Sequence, residues 1–213
     1  MRAMILASAL ALSSFSALAE PVPFDGAWKT QRFSLFSSNT YRFQGATMDV
    51  LSDGSVSMAY RQLDPGQWDT RGASWDWSVV EGVDPTDLTR KGGDDRNLAM
   101  YFVFLPRAEA EALRGSNIRK LLQNEQARVL VYVWGGDHAR NQQLDSPYLG
   151  ARGKTVVLRA AGTGSHRESV DLARDYARAF GGQVSALVGL AVSADSDDTD
   201  GAIRARIGAL RLE

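Results

Sequence analysis

The chain reads as a mainly β protein, an antiparallel β-sandwich of jelly-roll type with one or two short helices. Three observations predict this. Short runs alternate apolar and polar residues and are separated by turn residues, the period-two signature of strands with one buried face. Two other runs, residues 100–105 (MYFVFL) and 129–134 (VLVYVW), are apolar on both faces and read as central strands covered from both sides. Helical periodicity is confined to a few segments, whereas a parallel α/β fold needs a helix after nearly every strand.

In chain order, Tyr41 and Phe43 share one face. Residues 48–51 are apolar or compact, and Ser52-Asp53-Gly54-Ser55 reads as a hairpin turn into the alternating Val56, Met58 and Tyr60. Trp75, Trp77 and Val79 alternate with Ser74, Asp76 and Ser78. After the two fully apolar runs come strand candidates at 155–159 and 184–194. The last strand covers 203–212. Its inward set is Ile203, Ala205 and Ile207, then switches parity to Leu210 and Leu212, so a β-bulge is predicted near Gly208.

A helix is predicted at 107–114 after Pro106, with another turn or two at 118–123. The clearest helix is 171–180. Ala173, Tyr176, Ala177 and Phe180 form its apolar stripe, Asp171, Arg174, Asp175 and Arg178 its wet side, and Gly181-Gly182 its stop. Loops at 61–72, 82–97 and 135–153 are long for a compact domain, and long ordered loops are often functional.

The first residues carry a different signal. Arg2, the apolar run MILASALAL over residues 4–12, a serine-diluted stretch and Ala17-Leu18-Ala19 follow the order of a secretory signal peptide. The apolar run is shorter than the roughly 20 residues that span a bilayer. Cleavage is expected after Ala19, giving a periplasmic or secreted chain that keeps no membrane span. Removing 19 of 213 residues leaves 194, and residues 20–213 are expected to form one sandwich domain. The chain has no Cys, which excludes lipid attachment at cysteine, disulfides, thiol nucleophiles and thiolate metal sites. The 24 Lys and Arg against 25 Asp and Glu are scattered, so no electrostatic footprint for nucleic acid is present.

Several chemistries lack their residues. His138 and His166 have no partner at metal-ligand spacing. No G-x-S-x-G, P-loop or strand-to-helix G-x-G-x-x-G occurs. No motif calls for a cofactor.

The carboxylates are more informative. Asp195, Asp197, Asp198 and Asp200 crowd the turn before the last strand, with Thr199 among them. Such a group repels itself unless donors or a cation intervene. Calcium suits an oxygen-rich loop at Asp195, Asp197 and Asp198, although the EF-hand pattern fails: Asp200 stands at its glycine position and Arg206 at its bidentate glutamate. The same loop, read as a ligand site, offers Asp195, Asp197, Asp198 and Thr199; a solvated acidic turn is the plain alternative. Asp94 and Asp95 precede the 100–105 run, at the rim of a sheet. If either meets Asp197 across a cleft, the pair has the makings of glycosidase acid/base chemistry; a charged turn is again the plain alternative. Trp75 and Trp77 read as core. For Trp134, at the end of a central strand beside a loop, core packing and stacking on a sugar ligand stand equal. Trp28 and Trp68 lie in loop-like sequence open to exposure.

Several of these pieces occur in a fixed order: W-x-W-x-V at 75–79, Pro85, Gly93-Asp94-Asp95, the YFVF strand, Tyr132-Val133-Trp134, the 168–181 segment with Asp175-Tyr176 and Phe180-Gly181, and Asp195-x-Asp197-x-Thr199. From about Tyr41 to Leu212 the chain resembles the DUF3047 family of exported bacterial proteins. The resemblance implies a β-sandwich-like domain in the bacterial envelope and assigns no catalysis. The family pattern carries an Arg a few residues after the Asp pair; here Ala99 stands there and Arg96 is displaced. The sequence thus points first to an exported envelope module that binds a ligand, with a glycan as the candidate partner. A glycan-cleaving enzyme using paired carboxylates and a structural or interaction module are the alternatives.

Overall fold

Alternating burial marks the strands of one sheet, and runs buried on both sides mark the middle strands of the other. The computed structural model describes residues 19–213; the expected signal segment lies outside the described residues apart from Ala19. The elements are β1 (Glu20–Pro21), β2 (Lys29–Arg32), β3 (Thr40–Phe43), β4 (Thr47–Asp53), β5 (Val56–Gln62), β6 (Gly72–Glu81), β7 (Arg96–Leu105), α1 (Arg107–Ala112), α2 (Ile118–Gln123), β8 (Arg128–Trp134), β9 (Gln143–Ser146), β10 (Gly150–Arg159), β11 (Gly164–Asp171), α3 (Leu172–Phe180), β12 (Ala186–Asp195) and β13 (Ala202–Leu212). They form a β-sandwich of jelly-roll type. One sheet runs β11-β6-β13-β4-β3, with β1 continuing beside β13; the other runs β2-β5-β12-β7-β8-β10-β9.

The two fully apolar runs are the neighbouring strands β7 and β8 near the middle of the seven-stranded sheet. The inner faces supply the core. Ala73, Trp75, Trp77 and Val79 of β6 are buried and face Phe102 of β7 and Tyr132 and Trp134 of β8, with ring centroids 5.7–6.0 Å apart across the interface. In β13 the parity switch is where the sequence places it: Ile203 and Ile207 are buried, then Leu210 and Leu212, across a register shift between Gly208 and Arg211. The left-handed residue there is Ala209 (φ 50°). Gly208 is glycine because a Cβ at that position would stand 2.8 Å from Thr47 Cγ2.

Four expectations are corrected. The turn at 52–55 does not close a hairpin: β4 and β5 belong to different sheets, so the chain crosses the sandwich there. A buried polar knot ties this corner. Ser52 Oγ and Ser55 Oγ each donate to Asn39 Oδ1 at 2.8 Å, while the Asn39 amide donates to the Ala194 carbonyl. The sandwich is also not wholly antiparallel, since β10 runs parallel to β8. Trp28 and Trp68 are buried, their indole N–H groups donating to the carbonyls of Pro23 and Leu63. Finally, Asp175 lies inside rather than on the wet side of α3. Tyr132 donates its hydroxyl proton to Asp175 at 2.9 Å, while Ala177 is turned to solvent. Asp171 caps the helix by accepting from the Arg174 amide.

Candidate functional site

The outer face of the seven-stranded sheet carries a cleft of about 420 Å³. Its floor is built by strand alternation. Val56 and Met58 of β5, Tyr101 of β7, Val129 and Val131 of β8 and Thr155 of β10 project from one side of the sheet, and Tyr101, Val131 and Thr155 lie on one rung of the ladder. Two of the three long loops wall it. The 82–97 stretch brings Leu88 and Asp94, and the 135–153 stretch brings Pro147, Tyr148 and Leu149. Phe33, after β2, closes one side.

The polar end is organised by Arg96. Its Nη1 donates to Asp94 Oδ2 at 2.9 Å and lies 3.0 Å from Asp195 Oδ2; its Nη2 donates to the Tyr101 hydroxyl at 3.0 Å. Tyr148 donates to the other oxygen of Asp94 at 2.9 Å, and Ser193 and Tyr101 share a hydrogen bond. Sharing one nitrogen, the Oδ2 atoms of Asp94 and Asp195 lie no more than about 6 Å apart, as near as the more closely set carboxyl pairs of glycosidases. Burial pushes the Asp195 carboxyl up to about 8 against the pull of Arg96, and the neighbouring Asp197 and Asp95 add to the rise. Asp195 Oδ1 is buried without a hydrogen-bond partner.

The sequence-selected residues divide sharply. Asp94, Asp195, Asp197 and Asp198 line this cleft. Asp95 does not. It is fully buried, and its Oδ2 accepts from the Thr199 amide and hydroxyl at 2.7 and 2.6 Å while Oδ1 accepts from the Asp198 amide. Asp95 and Thr199 therefore shape the acidic turn from within, which removes Asp95 as a cleft acid and Thr199 as a free ligand contact. Trp134 is corrected to core: it is 1% exposed, packed on Trp77 and on His166. The acidic side chains that converge are Asp95, Asp197 and Asp198, whereas Asp195 is drawn aside to Arg96. Arg96, Tyr101, Tyr148 and Phe33 were not selected from sequence. The run Asp94-Asp95-Arg96 was the available signal for Arg96, and Tyr148 stands in a Ser-Pro-Tyr turn of a long loop.

A family model described as "Protein of unknown function (DUF3047)" matches residues 26–211. The chain belongs to the DUF3047 family. No curated protein matches it. Among solved structures, it is similar to the xyloglucanase domain of NopAA, a type three effector from Sinorhizobium fredii in complex with cellobiose (9% identity, 92% of this chain and 96% of that one, TM-score 0.47). It is similar also to the family 11 xylanase from Neocallimastix patriciarum (12%, 92% and 94%, TM-score 0.45) and to the K3 adhesin domain of Lys-gingipain from Porphyromonas gingivalis (13%, 92% and 97%, TM-score 0.39). These likenesses are distant. In this DUF3047 chain, Arg96 makes the carboxylate contacts although Ala99 stands at the expected Arg position.

Proposed function

We propose that this protein is an exported ligand-binding sandwich whose cleft takes a glycan. One observation carries the reading. Five large apolar side chains are well exposed among the described residues; Phe33 (58%) and Tyr148 (59%) line this cleft, and Leu35 (90%) and Phe36 (98%) follow Phe33 on the same loop. Exposed apolar side chains clustered at one groove mark a binding surface. Aromatic rings beside an aliphatic floor suit the apolar face of a sugar ring. The carboxylates of Asp197 and Asp198, exposed at the rim, suit its hydroxyls. The tryptophans take no part, since all five are buried.

The same geometry argues for binding ahead of cleavage. Asp94 and Asp195 are close enough for glycosidase chemistry, but the Arg96 guanidinium bridges them, in the space where a scissile bond has to lie. The export segment at residues 1–19 supports an envelope location. A glycan array probed with the wild-type protein and with Phe33→Ser and Phe36→Ser tests the reading. Both altered side chains are exposed, so folding is unaffected and retention of the bound glycan falls. No retained glycan, or equal retention by the variants, counts against it; release of new reducing ends moves the assignment to cleavage.

A further inference from the structure

We propose that Asp95, Asp197 and Asp198 form a binding site for a divalent cation of the calcium class at the rim of the cleft. One carboxylate oxygen from each residue lies within 4.8 Å of the other two. A single calcium ion, with oxygen contacts of about 2.3–2.6 Å, fills such a span. Asp95 is a prepared ligand. The Thr199 amide and hydroxyl fix its Oδ2, and Oδ1, with one longer bond of 3.3 Å from the Asp198 amide, keeps a lone pair free.

A second observation points the same way. Asp195, 6% exposed and at the start of the same turn, has a buried Oδ1 with no hydrogen-bond partner. Arg96 serves Asp94 and Asp195, and among the described residues no ion pair reaches Asp95, Asp197 or Asp198. Five carboxyl groups therefore crowd a region in which the guanidinium is committed to two of them. A cation bound to Asp95, Asp197 and Asp198 neutralises the remainder, and a water on it gives Asp195 Oδ1 the partner it lacks. The donor set is all oxygen, which suits calcium and not zinc or copper. The bound ion would fix the 195–200 turn that walls the cleft. The site stands independently of the glycan reading.

Calorimetric titration of the EDTA-treated protein with calcium chloride, paired with thermal melting, tests this. One equivalent of calcium binds and raises the melting temperature. Asp197→Asn/Asp198→Asn, two exposed positions, weakens binding by about tenfold or more. Asp200→Asn, in the same turn but outside the group and at a left-handed residue that Asn tolerates, binds as the wild type does. Should the double variant fail to melt cooperatively, Asp197→Asn alone carries the comparison. The proposal is overturned by no heat and no melting shift up to about 10 mM calcium, beyond the weakest extracellular sites. Unchanged binding in the Asp197/Asp198 variants, an equal loss in Asp200→Asn, or tighter binding of magnesium overturns it as well.

Discussion

Replacing Arg96 with Met removes the group that holds the polar end of the cleft together, and the cost follows from burial. The Arg96 side chain is 11% exposed, and its two partners, Asp94 and Asp195, are 4% and 8% exposed, so solvent screens these ion pairs little. Methionine fills much of the same volume but leaves two buried carboxyls and the Tyr101 hydroxyl without their donor. Breaking a buried pair from one side costs about 3–5 kcal/mol. In a chain of this size that lowers the melting temperature by about 6–20 °C. Guanidinium denaturation of Arg96→Met beside Arg206→Met measures the difference. Arg206 pairs with Asp49 at 2.6 Å, but its side chain is 55% exposed, and such surface pairs contribute about 0–1 kcal/mol. A loss below about 1 kcal/mol for Arg96→Met, no greater than for Arg206→Met, refutes the view that this guanidinium organises a buried site.

Three further outcomes are expected. Trp134→Ala destabilises the protein by about 3–5 kcal/mol, as deletion of a core aromatic does, and a denaturation curve checks it; loss of ligand retention at full stability would instead return Trp134 to a ligand face. Thr199→Val takes a hydroxyl donor from the fully buried Asp95 and costs about 1–3 kcal/mol in the same measurement, whereas a free ligand-contacting threonine costs almost nothing. Intact-mass analysis of protein recovered from the cell envelope gives a chain that begins at Glu20, and an uncut chain retained in the cytoplasm rejects the export reading.

Much of the sandwich was legible because alternation is a direct print of burial. Trp75, Trp77 and Val79 announce a buried face without knowledge of their partners, and the slip at Gly208 appears as a change of parity. Strand β11 escaped because it is an edge strand of polar residues whose inward Glu168 looks like a surface charge. In the fold that carboxylate accepts from the indole N–H of Trp77 and from Arg159, partners that no local pattern reveals. The chain's crossing between sheets at 52–55 uses the same turn residues as a hairpin, so turn chemistry alone cannot separate them. The site was legible as a set of carboxylates and not as an arrangement. Asp94 and Asp195 stand far apart in sequence and meet on Arg96 only because β7 and β12 are neighbours in the sheet. Asp95 and Asp94 are adjacent in sequence, yet one is held under the acidic turn while the other lines the cleft. The tryptophans misled in the opposite direction, since a ring at a strand end beside a loop is as easily buried as displayed.

In the proposed function the outer face of the seven-stranded sheet, between the Phe33 loop and Tyr148, is the binding face. Amide hydrogen exchange of the protein with and without a glycan retained on the array locates that face. Protection at residues 129–131, 146–149 and 195–198 is predicted. Protection confined to the opposite face of the sandwich, around Arg167 and Arg206, contradicts it.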